Sequence, residues 1–422
     1  MSQHDRDYDL VLFGATGFVG SLTARYLAEH GPADARIALA GRSRERLEAA
    51  RARLGGAASA WDVLMAEASD AAGLAALARR TAVVVTTVGP YAEHGLPLAR
   101  ACAAAGTHYA DLTGEVLFVR QVIDECQAPA AASRARLVPS CGFDSIPSDL
   151  GVLVLADRLA ADGEGTLGET TLRVRALRGG FSGGTIASIR GQAAAMAASP
   201  DARRMVGDSY ALSPDRSAEP PSRNRAPART GAAGLVDRVA GSVPVLRSPA
   251  GRWSAPFIMA SHNTRIVRRS NAVSGYRYGR DFRYAEVTDC GDGAAGLAKA
   301  GLLTGALAGG MLGMSFGPTR ALLERILPKP GEGPSEEAQA AGRFAMDIET
   351  TTTTGARYVV RVAADRDPGY SGTAVMLGEA GLCLAFDDLP GGGGVLTPAT
   401  ALGMPLVDRL RAQGFTFDVR RA

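Results

Sequence analysis

Lysine is almost missing from this chain. Of its 46 basic residues only Lys299 and Lys329 are lysine, and arginine supplies the other 44. Chemistry that depends on an amine, such as Schiff-base formation, therefore has almost nowhere to reside. Cysteine is scarce and scattered: Cys102, Cys126, Cys141, Cys290 and Cys383 form no CxxC pair. That excludes a disulfide scaffold and fits a reduced compartment. No His/Cys cluster has metal-binding spacing, and neither a GxSxG elbow nor a Walker loop is present. A net charge of only +3 leaves no polybasic surface for nucleic acid. With 46% hydrophobic and 21% charged residues, the chain is neither disordered nor collagen-like. The start, MSQHDRDYDLVLFGATG, carries acidic residues where a signal peptide has basic ones, and its apolar run ends in glycine. The expected location is cytoplasmic.

What is present is a rhythm. A length of 422 residues suggests two or three domains. Over the first 150, apolar runs of strand length (Asp9–Phe13, Arg36–Ala40, Ser59–Met65, Ala82–Thr86, His108–Ala110, Arg136–Ser140) alternate with helical segments (Phe18–His30, Ser43–Leu54, Asp70–Arg80, Leu96–Ala105, Glu115–Ser133). Alternation of this kind implies an α/β fold with a doubly wound parallel sheet. The pattern then changes. Thr170–Leu177 alternates with period two, Gly184–Ala198 reads as a helix, and strand-like stretches return at Phe257–Arg268, Tyr276–Thr288, Phe344–Thr353 and Arg357–Ala364. These predict a second, α+β domain over residues 151–368 with a largely antiparallel sheet. Residues 199–256, rich in Pro, Arg, Ser and Gly, read as a loop-dominated insertion. Residues 369–422 read as C-terminal helices, Tyr370–Phe386 and Thr397–Gln413, joined by PGGGG.

One long apolar stretch, Ala294–Gly317, has Lys299 as its only charge. Its length reaches the membrane-spanning range, but its composition is mostly Gly and Ala. A buried or surface-docked helix is the expectation, with peripheral lipid contact as the alternative.

The strongest chemical signal is Gly14-Ala15-Thr16-Gly17-Phe18-Val19-Gly20, which follows a strand and opens a helix. Glycines there allow a tight turn and let backbone amides reach a pyrophosphate at the helix N-terminus. The candidate diphosphate contacts are Gly14, Thr16, Gly17, Phe18, Val19 and Gly20. After the second strand the sequence reads Ala40-Gly41-Arg42-Ser43-Arg44. An NAD site places a carboxylate there to hold the ribose hydroxyls; Arg42 is suited instead to a 2′-phosphate, with Ser43 adding a hydroxyl and a helix cap. The cofactor expected is NADP. The loop after the fourth strand, Thr86-Thr87-Val88-Gly89-Pro90-Tyr91, should pass the nicotinamide through Thr87, Gly89 and Pro90.

Polar groups crowd two further strand ends, Gly106–Glu115 and Pro139–Asp149. The candidate catalytic residues are Tyr91 and Tyr109 as proton donors and Asp144 as a positioning or acid group. Tyr91 could equally be a packing aromatic. Ser145 and Ser148 are read as helix caps, Cys141 as a buried thiol, and His94 and His108 as structural histidines ahead of catalytic ones.

The segments GATGFVG, AGRS, TTVGPY, THYADLTGE, CGFDSIPSDLG, DPGYSGTA and GGGGVLTPATALG together resemble the saccharopine dehydrogenase-like oxidoreductases, and among them most resemble the trans-acting enoyl reductases. The resemblance runs from Tyr8 to about Phe417 and is weakest around 200–256. It implies an N-terminal Rossmann domain, a second α/β domain and a C-terminal helix returning to the first. It also implies NADP(H) and reduction of a carbon–carbon double bond in a lipid-like or polyketide intermediate. Lipid-surface contact through 294–317 and a homodimer are further expectations. Two other functions stay open: dinucleotide binding without turnover at a lipid surface, and amino-acid dehydrogenation of the saccharopine type. No motif suited to two carboxylates and an amine accompanies the latter.

Overall fold

The computed structural model describes residues 6–179, 183–220, 246–247, 251–315 and 333–422. Its strands in chain order are β1 (Tyr8–Phe13), β2 (Ile37–Gly41), β3 (Asp62–Met65), β4 (Thr81–Thr86), β5 (His108–Ala110), β6 (Arg136–Val138), β7 (Leu167–Arg178), β8 (Leu246–Arg247), β9 (Trp253–Pro256), β10 (Arg283–Gly291), β11 (Arg343–Thr352), β12 (Arg357–Ala364), β13 (Gly394–Val395) and β14 (Thr416–Arg421). They form two seven-stranded sheets.

The first sheet is parallel, in the order β3-β2-β1-β4-β5-β6-β13. Its central strands are apolar on both faces because helices cover both, as a parallel sheet requires. Leu10, Val11 and Leu12 of β1 pair with Val83, Val84 and Val85 of β4, and all six are fully buried. The helix Ser371–Phe386 lies against β1 and β4. It comes so close that a Cβ on Gly381 would stand 2.6 Å from the Val85 side chain. The order reverses between β1 and β4, so a crevice opens beyond their carboxyl ends.

The second sheet runs β14-β12-β11-β7-β10-β9-β8. It is mixed: β7 and β10 are parallel, whereas the other neighbours are antiparallel. Its inner face, with Leu172, Val174, Phe344, Met346, Ile348, Val360 and Val362, packs on the helix Ile146–Asp162. Its outer face carries an ion-pair lattice in which Arg175 meets Asp289, Asp347 and Glu349 at 2.5, 2.9 and 2.6 Å.

Several elements differ from expectation. Phe257–Arg268 is not a strand; a helix runs over Ala260–Val273. Its β-branched residues Thr264, Ile266 and Val267 suggest a strand, but burial at Asn263, Ile266, Val267 and Ser270 follows the helical spacing. Strand β10 starts only at Arg283, since Tyr276–Phe282 is a turn. Residues 199–256 include the helix Pro200–Gly207, capped by Ser199, as well as β9; residues 221–245 lie outside the described residues. The C-terminal segment is not all helix. It donates β13 to the first sheet and β14 to the second, and so ties the two together.

Asp149 makes the tightest of these ties. It lies in the first turn of Ile146–Asp162 and accepts hydrogen bonds from the Ala399 amide at 2.8 Å and from the Ser270 hydroxyl. Ser270 in turn meets the Thr397 hydroxyl at 2.6 Å. The segments GFDSIPSD and LTPATALG, 250 residues apart, thus share one buried carboxyl. Asp149→Ala removes the acceptor and leaves the Ala399 amide unpaired in the interior, while Ser270 keeps the Ile266 carbonyl and the Thr397 hydroxyl. The expected loss is about 2–4 kcal/mol of unfolding free energy, read by urea denaturation; an unchanged midpoint would contradict this role.

Candidate active site

The crevice begins at the turn after β1. The Gly14 amide donates to the Ala40 carbonyl at 2.9 Å, and the Gly17 amide donates to the Gly14 carbonyl at 3.0 Å. Gly14 holds φ +96°, a conformation that favours glycine. The helix Phe18–His30 starts directly on this turn, and a Cβ on Gly20 would lie 2.1 Å from the Gly14 oxygen. Gly17 occupies the N-cap and offers no side-chain cap, so the amides of Phe18 and Val19 are not satisfied by a cap. That is what an anion needs. Thr16 is partly exposed on the outside of the turn. The Phe18 ring sits edge-on to Tyr370 with centroids 5.0 Å apart.

The β4 loop is stitched to this turn. The Thr87 amide donates to the Phe13 carbonyl at 3.0 Å, and its hydroxyl donates to the Gly14 carbonyl at 3.1 Å. Gly89 and Pro90, joined by a cis peptide, carry the chain across the crevice. A backbone cradle that side chains would fill, with an uncapped helix end above it, fits the diphosphate of a nicotinamide dinucleotide.

At the edge of the crevice Arg42 is exposed and makes no ion pair among the described residues. Its neighbour Arg44 is engaged with Glu48 at 3.7 Å. The Ser43 hydroxyl accepts from the Arg46 amide at 3.4 Å and caps the helix Arg44–Leu54.

Tyr91 and Tyr109 are set differently from the expectation of a proton donor. The Tyr91 hydroxyl donates to the Thr86 carbonyl at 3.1 Å and accepts from the Leu112 amide at 3.1 Å. The Tyr109 hydroxyl donates to Asp111 at 2.7 Å and is wholly buried. Burial, and then the Asp111 charge, push both phenols well above their ordinary value. Both hydroxyl protons are therefore committed to the framework. Asp111 binds the Thr113 and Ser140 amides, each at 2.9 Å. Glu115 receives the Tyr91 and Ala92 amides at 3.0 and 2.7 Å and the Ser188 hydroxyl at 2.7 Å. These groups fix the loops after β4, β5 and β6 relative to one another.

Asp144 differs from the others. It is only partly exposed, and its carboxyl makes no hydrogen bond or ion pair among the described residues. A Cβ on Gly114 would be 3.4 Å from its Oδ2 and 3.6 Å from the Met259 methyl, so Gly114 packs close to both. Burial, with no cation to oppose it, pushes its pKa up to about 7. A carboxyl that keeps its proton near neutrality is equipped to donate it.

Other residues fall into supporting places. Ser145 holds the N-cap position of Ile146–Asp162 but makes no side-chain cap; its hydroxyl points to Asn263 at 3.5 Å. Ser148 also meets Asn263, at 3.5 Å, rather than capping. Cys141 is buried, and burial raises its thiol well above the usual range. His108 accepts from the Arg136 amide at 3.0 Å and burial lowers it to about 4, so it is a neutral packing group. His94 is exposed, 3.9 Å from Glu93. Three contributors escaped the sequence argument. Thr373 accepts the Phe143 amide at 3.1 Å, Tyr370 packs on Phe18, and His262 meets the Ser140 hydroxyl at 2.9 Å. Tyr370 and Thr373 lie in DPGYSGTA, but nothing in their spacing shows that Thr373 reaches back 230 residues to Phe143 and Tyr370 further still, to Phe18. His262 was hidden by the strand expected over its helix.

Comparison with known proteins identifies the family and the fold. Residues 10–136 match the model of the saccharopine dehydrogenase NADP binding domain. A Mycobacterium tuberculosis protein provisionally named as a trans-acting enoyl reductase is 49% identical over 429 residues, covering 100% of this chain and 99% of its own. The trans-acting enoyl reductase of Mycobacterium ulcerans is 46% identical over 428 residues, covering 100% of both chains. Among solved structures, the saccharopine dehydrogenase (L-Glu forming) of Saccharomyces cerevisiae superposes with a TM-score of 0.54 at 12% identity, over 98% of this chain and 99% of that one. The fold is shared with it.

The buried carboxyl has a thermodynamic signature. The folded state binds the Asp144 proton more tightly than the unfolded chain does, so its contribution to stability is present below the ordinary carboxylate pKa and is lost as pH rises through about 7. Asp144→Asn keeps the shape and cannot ionise. It is expected to melt higher than the parent at about pH 8, with the difference vanishing toward about pH 4, as read by calorimetry. Equal melting at both pH values would show that Asp144 ionises freely.

Proposed function

We infer what this chain does from the family to which it belongs, the trans-acting enoyl reductases among the saccharopine dehydrogenase-like oxidoreductases. The proposed reaction is NADPH-dependent reduction of a carbon–carbon double bond conjugated to a carbonyl in a lipid-like or polyketide intermediate. When bound, the cofactor supplies a hydride to the β-carbon. The chain's own task is to hold the reactants, exclude water and deliver a proton. The turn at Gly14–Gly20 and the uncapped start of Phe18–His30 hold the diphosphate. Thr87, Gly89 and Pro90 pass beside the ring. Arg42, exposed and without an ion pair among the described residues, favours a 2′-phosphate and so NADP over NAD.

The observation that carries the proposal is Asp144. An acid that keeps its proton to about pH 7 and makes no hydrogen bond or ion pair among the described residues is assigned to protonate the α-carbon; its proton then returns from solvent. Tyr91 and Tyr109, expected as donors, serve instead as positioning residues, because their hydroxyls hold the loops that bring Asp144 into place.

The experiment is turnover of a 2-enoyl thioester with NADPH, followed at the nicotinamide absorbance band. Asp144→Asn is expected to lower kcat by about 100-fold or more while NADPH binding stays unchanged. Arg42→Ala is expected to weaken NADPH about 10- to 100-fold and leave NADH unaffected. No turnover over several acyl lengths would remove the enoyl assignment. An unchanged NADPH/NADH ratio in the Arg42 variant would remove the cofactor choice.

Peripheral lipid contact is proposed for the helix Gly293–Ser315. Ala300 and Leu303 dock it beside Trp253, Ala255 and Cys290, while Leu297 and Leu302 are 46% and 73% exposed. No helix among the described residues is long and apolar enough to cross a membrane. Flotation with phosphatidylcholine–phosphatidylglycerol vesicles should therefore carry the protein upward, and Leu302→Glu should weaken it. A parent protein that stays at the bottom of the gradient would exclude the contact.

A further inference from the structure

The helix Ala260–Val273 has two working ends. Its start brings Met259 and His262 to the crevice, whereas Arg268 and Asn271 lie roughly 9–14 Å further along its axis, at about 1.5 Å per residue. This far end forms one wall of a cavity of about 280 Å³. A second wall is the turn that follows the helix, and a third is the segment carrying Tyr210 and Glu219.

The turn is firmly built. The Asn271 side chain donates to the Gly279 carbonyl at 2.9 Å and accepts from the Tyr278 amide at 2.8 Å, and the Asn271 carbonyl receives the Tyr276 amide at 2.7 Å. Tyr276 is held at φ +64°, an uncommon conformation for a bulky residue.

Charge in the cavity is unbalanced. Arg268, Arg280 and Arg283 line it against one carboxylate, Glu219, a surplus of two positive charges. None of the three arginines forms an ion pair among the described residues. Arg268 donates to the Ser209 and Tyr284 carbonyls at 3.1 and 2.8 Å. Arg283 donates to the Arg280 and Phe282 carbonyls at 3.3 and 3.0 Å. Arg280 lies over the Tyr276 ring at 4.3 Å. Glu219 is already engaged by the Ser213 hydroxyl at 2.7 Å and the Tyr276 hydroxyl at 3.2 Å. Nearby Arg216 is neutralised by Asp208 at 2.6 Å. The contrast with the second sheet is instructive, since there Arg173, Arg175, Arg252 and Arg361 each meet a carboxylate. Aromatic faces complete the lining: Tyr210 has Arg216 and Arg268 stacked at 5.5 and 5.2 Å.

We propose that this cavity is a second ligand site, for a small organic anion that joins an oxyanion head to a flat, ring-sized body. The forks of Arg280 and Arg283 suit a phosphate or carboxylate head, and the tyrosine–guanidinium stacks suit a planar body. The volume is at the small end of ligand pockets, so it admits a ring with its acid group and not an acyl chain or a dinucleotide. The site lies beyond the proposed reductase chemistry and does not depend on it.

Phenyl phosphate and benzoate are the probes, titrated by calorimetry into the full-length protein and into the Arg42→Ala variant. Saturable binding is expected in both proteins, since the phosphate-binding arginine of the crevice is not used. Tighter binding of phenyl phosphate identifies phosphate esters as the natural class, and tighter binding of benzoate identifies carboxylates. Replacing both Arg280 and Arg283 by alanine is expected to weaken binding at least about tenfold, the loss of one charge-assisted bond, with an unchanged melting temperature because both side chains lie at the cavity surface. Three outcomes overturn the proposal: no saturable heat with either probe, undiminished affinity in the double variant, or binding lost only in Arg42→Ala.

Discussion

A single close approach organises the crevice: the α-carbon of Gly20 against the carbonyl of Gly14, with the Thr87 hydroxyl on the same oxygen. Any side chain at Gly20 would lift the helix away from the turn. Because it stays down, the first turn of the helix stands over the end of β1 and its amides converge on the place where an anion belongs. Because Thr87 is bonded there too, the β4 loop cannot drift from the β1 turn. The topological reversal between β1 and β4 thus becomes a crevice with fixed walls, and the other loops are registered to it through Tyr91, Asp111 and Glu115.

Those registering groups obey the rule that a buried polar atom must find a partner. Tyr91 spans from the Thr86 carbonyl to the Leu112 amide, Asp111 holds two amides and a phenol, and Glu115 takes two amides and a hydroxyl. Each bond is modest in net energy, but removing one partner strands the other away from water. The same logic connects the ends of the chain. Asp149 brings Ala399 and Ser270 together, Thr373 holds the Phe143 amide, and β13 and β14 enter different sheets. The C-terminal fifty residues therefore brace the loops on which the chemistry depends.

Much of this could be read from residue order. Strand–helix alternation, the glycine turn and the absence of an acidic residue after β2 are local patterns, and local patterns are set by steric and hydrogen-bonding rules that need no partner from elsewhere. The parallel sheet and its helices follow from them, and so does Ser43 as a cap. The misjudged parts share one property: tertiary packing decides them. The segment Thr264–Val267 has the β-branched content of a strand, yet it is a helix because its buried positions recur at helical spacing against Ile146–Asp162. Strands β13 and β14 are too short or too polar to signal themselves. Tyr91 and Tyr109 have the right chemistry in the right loops, and only the structure shows that their hydroxyls are engaged with Thr86, Leu112 and Asp111.

Asp144 draws its character from what is kept away from it. In a chain with 44 arginines a carboxylate commonly meets a guanidinium, as Asp289, Asp347, Asp387 and Glu379 do. A guanidinium beside Asp144 would stabilise its charged form and strip its proton at neutral pH. Gly114 packs close to it instead, and burial is the cause of its shift. With attraction absent, desolvation alone sets the balance, and the acid form survives to about pH 7. The cost is a carboxyl whose ionisation the fold resists, a cost that asparagine, of the same shape, would not carry. Beside the dinucleotide crevice, that carboxyl is the group to which the proposed reaction assigns the proton.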